Sequence, residues 1–168
     1  MKSKARNTKI KKADEKQLLD ALLEISKAST SDLYLEDILK LIVTVTAKVM
    51  NSEICSIMLF DDKLGALKIK ATQSMSDDYN LKPPVKTGEG IAGKVFRDGK
   101  AITVYDVLKE PDYKYKDIAK KLGLKSLLSV PLIVRGKAIG VLNAYTIFYH
   151  QFSETEIATL QAVARQAA

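Results

Sequence analysis

The chain has 168 residues, 46% hydrophobic and 28% charged, which suits one ordinary globular domain with a short extension. It holds no apolar run near the ~20 residues of a membrane span and no signal-peptide stretch in its start, MKSKARNTKIKK; one cysteine, Cys55, excludes an internal disulfide framework or a cysteine-based zinc site. The net charge of +7 looks like a nucleic-acid signal until it is located in the chain.

Residues 1–12 carry Lys2, Lys4, Arg6, Lys9, Lys11 and Lys12 and no acid. Taking those six from the 27 basic residues leaves 21 against 20 acidic ones, a net of +1 for residues 13–168. The excess therefore belongs to a tail, expected to be disordered and solubilising. It lacks the interleaved aromatics that single-strand binders stack on, so nucleic acid is not an expected partner, and the expected location is cytoplasmic.

A single domain over 13–168 is expected, opening with a terminal helix within 13–30. Leu18, Leu22 and Ile25 form its stripe, widened by Leu19 and Leu23. Small polar residues in STSDLY (29–34) break it. A second helix follows from about Leu35 to Met50, with Leu35, Ile38, Leu39, Ile42, Val45 and Val49 as its apolar set. The period then changes. EICSIMLF (53–60) is apolar on both alternating faces, as a strand covered on two sides would be. DDKLG (61–65) is turn material, and ALKIKAT (66–72) alternates cleanly, so the two runs form a hairpin.

Residues 73–84 read as a loop with one helical turn at most, ending in Pro83-Pro84. A helix from about Gly90 to Arg97 is stopped by Asp98-Gly99, and AITVYDV (101–107) reads as a strand. A short helix near 115–122 is capped by Gly123. KSLLSVPLIV (125–134) is a strand whose Pro131 points to an edge or a bulge, and AIGVLNAYT (138–146) returns antiparallel to it. Ser153 and Glu156 form a capping box, with Phe152 and Ile157 placed as a hydrophobic staple. The final helix reaches Ala168 without glycine or proline, so it is expected to run on into a longer protein.

Gly88, Gly90 and Gly93 spell G-x-G-x-x-G, and with Val95 the phosphate-covering pattern of protein kinases. A dinucleotide fingerprint needs a buried parallel strand before the first glycine; here Lys82, Pro83, Pro84 and Lys86 precede it. Glu89 inside the loop would repel a pyrophosphate. The lysine, H-R-D and D-F-G partners of a kinase are missing, and the sole histidine, His150, sits in Tyr-His-Gln. A structural role fits better: Gly88 and Gly90 bend the backbone into a helix, and Gly93 marks a close approach to another backbone or to a ligand.

Three ordered stretches carry a family resemblance: Glu53–Asp61, Gly88–Val95, and Ser126–Leu132 followed by Gly136 and Ile139–Leu142. Together, over roughly residues 35–168, the chain resembles the GAF domain. That resemblance implies an α+β fold: a mainly antiparallel twisted sheet of five or six strands, terminal helices on one face and a pocket on the other, under residues 106–126. It further implies a non-enzymatic regulatory module of bacterial-type signalling. Such a module forms a homodimer through helices near Leu18–Ile25 and Ile157–Ala164 and is covalently linked to an output domain beyond Ala168. It senses a small molecule whose identity the residues leave open, and they name no cofactor and no metal.

By the same resemblance the ligand-facing residues are Ser56, Ile91, Ala92, Tyr113, Tyr115 and Asn143. Free N–H groups at the helix start by Ile91 and Ala92 suit an anion, and the two tyrosines could stack on a flat ligand. The positions matching a cyclic-nucleotide signature are Thr146, Ile147, Phe152, Glu156 and Ile157, of which only the Phe and an acid survive. Cys55 has no histidine neighbour for pigment attachment, and His150 alone offers no iron site. Two alternatives stand beside sensing: a degenerate domain that only dimerises, and an enzyme like free methionine-R-sulfoxide reductases. The single thiol disfavours the second, because a sulfenic acid needs another thiol to resolve it.

Overall fold

Period-two burial organises the centre of the chain. Along β1 (Ile54–Asp61), Cys55 and Ile57 enter one apolar cluster and Ile54 and Met58 another, on the opposite side of the sheet. In β6 (Lys137–Thr146), Leu142 and Ala144 alternate in the same way with Val141 and Tyr145. A computed structural model describes residues 16–25, 27 and 34–168. The expected basic tail over 1–12 and the polar break over 29–33 lie outside the described residues.

The other strands are β2 (Ala66–Thr72), β3 (Val85–Lys86), β4 (Ile102–Val104) and β5 (Ser126–Val134), in the order β3-β2-β1-β6-β5-β4. Every neighbouring pair is antiparallel. This is the antiparallel α+β sheet expected from the tight turns.

One face carries the long helices. A helix over 16–25 (α1), α2 (Leu35–Val49) and α6 (Glu154–Ala167) pack Ile25, Leu39, Ile42, Val43, Leu160 and Val163 onto it. The other face carries α3 (Asp77–Asn80), α4 (Gly90–Asp98) and α5 (Lys116–Leu122), with Tyr79, Ile91, Val95 and Ala119 buried against the sheet.

Two expectations shift. The strand over 101–107 shrinks to Ile102–Val104, because Asp106 turns the chain: its carboxylate accepts from the Leu108 N–H at 3.0 Å and its carbonyl from the Glu110 N–H at 3.1 Å. β3, read as loop, is a two-residue addition to the edge of β2, pairing Leu67 with Val85. Pro131 lies in a strand with partners on both sides, yet β4 covers only Leu127 to Ser129, so the missing proline N–H falls beyond it. The capping box forms: the Ser153 hydroxyl accepts from the Glu156 N–H, and the Glu156 carboxylate from the Ser153 N–H.

The glycine loop serves the chain's own shape. Gly88 and Gly90 hold φ of +79° and +61°. A Cβ on Gly93 would stand 2.4 Å from the Lys86 carbonyl oxygen, so α4 can press on β3 only where a side chain is missing.

Candidate functional site

A cavity lies between the sheet and the layer of α3, the start of α4 and the segment that leads into α5. Its open volume is about 30 Å³, room for a water or two. It is small because side chains fill it.

Local sequence sets each wall. Ser76 caps α3, accepting from the Tyr79 N–H, and that single turn buries Tyr79. Leu81 ends the turn, and Pro83-Pro84 then holds the chain extended into β3. Lys82 is fixed between the two. Its ammonium nitrogen lies 4.0 Å from the Tyr79 ring centroid, 4.8 Å from Tyr115, 5.3 Å from Tyr145 and 6.0 Å from Tyr113. Burial pushes its pKa down to about 7. Among the described residues no carboxylate forms an ion pair with it.

The phenols are neutral. Burial raises Tyr79 and Tyr145 well above the ordinary tyrosine range, lifts Tyr113 to about 12 and also raises Tyr115. Tyr79 and Ser56 share a 2.7 Å hydrogen bond, the Tyr113 hydroxyl donates to Tyr145 at 3.4 Å, and the Tyr115 hydroxyl donates to the Pro83 carbonyl at 3.0 Å.

The sheet contributes a polar row. Ser56 on β1, Asn143 on β6 and Ser129 on β5 stand in register across three strands, all buried. Asn143 donates to the Ser56 hydroxyl at 3.4 Å, while Asn143 Oδ1 and Ser129 Oγ have no partner. Opposite, α4 begins without a side-chain cap. Glu89, at the capping position, instead accepts from the Lys86 N–H and from Lys114, an ion pair that holds its carboxyl below the usual range. The N–H groups of Gly90, Ile91 and Ala92 have no intrahelical acceptor and stand at the cavity.

The segment over the mouth is tied down at its surface. Lys114 pairs with Glu89, Lys94 with Asp112, and Lys121 on α5 with Asp78 on α3. These pairs are exposed, and exposed pairs contribute little to stability.

Of the six residues named from sequence, Ile91, Ala92, Tyr113, Tyr115 and Asn143 line this cavity together, and Ser56 stands one step behind, bonded to Asn143 and Tyr79. Lys82, Tyr79 and Tyr145 escaped the sequence reading. They carry no motif, and only the fold brings α3, the proline loop and β6 together. Cys55 is fully buried on the opposite face, where burial drives its thiol far above the ordinary range. His150 lies away from the cavity, against the Glu156 carboxylate at 2.7 Å. Among the described residues no group of His, Cys, Asp or Glu could hold a metal ion.

The GAF domain family model matches residues 34–168. The chain belongs to the GAF domain family. It is 30% identical over 151 residues to the phosphoenolpyruvate-dependent phosphotransferase system protein of Escherichia coli K12, a match covering 90% of this chain and 20% of that protein. It is 23% identical over 134 residues to the nitrogen fixation protein AnfA of Azotobacter vinelandii, covering 79% of this chain and 25% of that one. This GAF domain thus spans a fifth to a quarter of the curated relatives it matches. Its structure is similar to the GAF domain of a phosphoenolpyruvate-protein phosphotransferase from Coxiella burnetii, with TM-score 0.78, 27% identity and 90% of each chain covered.

Proposed function

We propose that this GAF domain is a regulatory sensor. A small polar molecule enters the cavity, and its occupancy is relayed through α1 and α6, paired between two copies, to a linked output domain. The observation that carries this reading is the unpartnered Asn143 Oδ1, buried in the cavity wall across from the uncapped start of α4. Left without a donor, a buried acceptor costs about 1–3 kcal/mol, so whatever fills the cavity, a small polar molecule or water, is drawn to donate to it. A ligand with a donor for Asn143 and an acceptor for the α4 N–H groups would satisfy both. Leu19 and Leu23, exposed on α1 beside its buried Ile25, support pairing of helices. The relatives' greater length supports a linked output domain. Among the described residues no helix is long and apolar enough to cross a membrane, which agrees with a cytoplasmic sensor.

The domain is proposed to be non-enzymatic. Reductase chemistry would need an accessible thiolate, and Cys55 is neither accessible nor acidic. The small free volume favours a second reading, a degenerate domain that only dimerises. Thermal unfolding of the full chain against a metabolite panel separates the two. Sensing predicts at least one compound that raises Tm and loses that effect in Asn143→Leu. A panel with no hit leaves dimerisation alone.

A further inference from the structure

Four tyrosines around one ammonium, with no carboxylate among them, are the chemistry of a cation cage. We propose that Tyr79, Tyr113, Tyr115 and Tyr145 form a subsite for a small organic ammonium ion, and that Lys82 is its tethered stand-in, expelled when that ligand binds. The proposal rests on the sensing reading and names the ligand class.

A cage built only for packing would hold an apolar side chain. A desolvated ammonium without a counter-ion is costly, and a methionine of the same length would fill the space without that cost. The rings meanwhile present neutral π faces from three directions: α3, the segment before α5, and β6. The occupant is also removable. Lys82 lies outside any helix or strand and is only half-buried, so the stem can swing out while the backbone stays in place. The tether sets a threshold, because an external cation must outcompete an ammonium already at the site.

Proton binding would tune that competition. The groups facing Lys82 are Tyr79 from α3, Tyr113 and Tyr115 from the segment over the mouth, and Tyr145 from β6, all held neutral by burial. Lys114 and Glu89 at the rim neutralise one another. Lys82 is then the cage group that changes charge near neutrality, and because burial favours its neutral form, the amine is harder to expel into water than the ammonium.

Choline and its uncharged isostere 3,3-dimethylbutan-1-ol test the proposal on the full chain, by calorimetry and by NMR of the tyrosine rings. Lys82→Ala, which empties the cage, is expected to bind choline about tenfold more tightly than the unmodified chain, which is the scale of one displaced cation–π occupant. The four cage rings should shift, and the isostere should bind at least tenfold more weakly. Equal choline affinity in the two proteins, or equal affinity for the isostere, overturns the cage. If Lys82→Ala does not fold, the unmodified chain still decides: expulsion returns Lys82 to water and its ordinary pKa, so choline binding takes up a proton and its affinity should fall severalfold from about pH 6.5 to about pH 8.5, and a flat profile overturns the proposal. A choline-induced rise in Tm that persists in Asn143→Leu, with no other compound raising Tm, would remove the sensing reading and keep the subsite. A metabolite hit alongside equal choline affinity would do the reverse.

Discussion

Gly93 sits where a methyl group has no room. Alanine would gain ~1 kcal/mol of helix propensity there. Its Cβ would also stand 2.4 Å from the Lys86 carbonyl oxygen, a backbone atom that cannot rotate away. The clash wins, so Gly93→Ala is expected to lose about 1–3 kcal/mol in urea unfolding, the usual range for forced backbone shifts. Asn143 is the opposite case. Its Oδ1 has no partner, so Asn143→Leu should leave the unliganded domain as stable or up to ~1 kcal/mol more stable, while abolishing ligand-induced stabilisation. Equal loss of stability and response would make Asn143 a plain structural residue. Cys55 adds a chemical prediction: buried, with its thiol raised by desolvation, it should react with Ellman's reagent at the rate of unfolding and no faster.

Elements with strong local signals were legible in the sequence. The capping box at Ser153 and Glu156 placed the start of α6 correctly, and Ser153→Ala should cost about 0.5–2 kcal/mol, read as a shifted urea midpoint with unchanged slope. The alternation of ALKIKAT placed β2 to the residue. β3 was not legible, because two residues after a diproline carry no period, and their strand character comes from pairing with distant Ala66 and Leu67. Four of the five strand pairs join consecutive strands, while β1 with β6 joins segments far apart in sequence. Local patterning identifies such strands without ordering them. The ties over the cavity belong to this scale too. Because they are exposed, Lys114→Ala should barely move global stability while speeding hydrogen exchange around residues 112–116. Unchanged exchange would mean that the segment is held by its buried tyrosines alone.

At the scale of the molecule, the site was half legible. Helix start and late-strand asparagine were matched to the family pattern, and the two tyrosines lie in the segment that the resemblance put over the pocket, whereas Lys82 is one of many lysines until the fold surrounds it with rings. That placement ties the stability of the whole domain to pH. Below about pH 7 both folded and unfolded chains hold the Lys82 proton, and the folded state bears the full cost of the buried ammonium. Between about 7 and the ordinary value of 10.5 the folded lysine loses its proton first, so the unfolded state binds more protons and stability climbs with pH. Cys55 and Tyr79 act the other way, because burial raises them, and their contribution falls as pH passes their ordinary values of 9.0 and 10.0. The interval from pH 7 to 9 therefore belongs to Lys82. Urea midpoints for the unmodified chain should rise across it relative to Lys82→Met, in which the slope from this group is gone. Saturating choline should flatten the rise as well, since an expelled Lys82 regains water and its ordinary pKa. Parallel midpoints for the two proteins would mean that the ammonium is solvated, and that the tyrosines never held it.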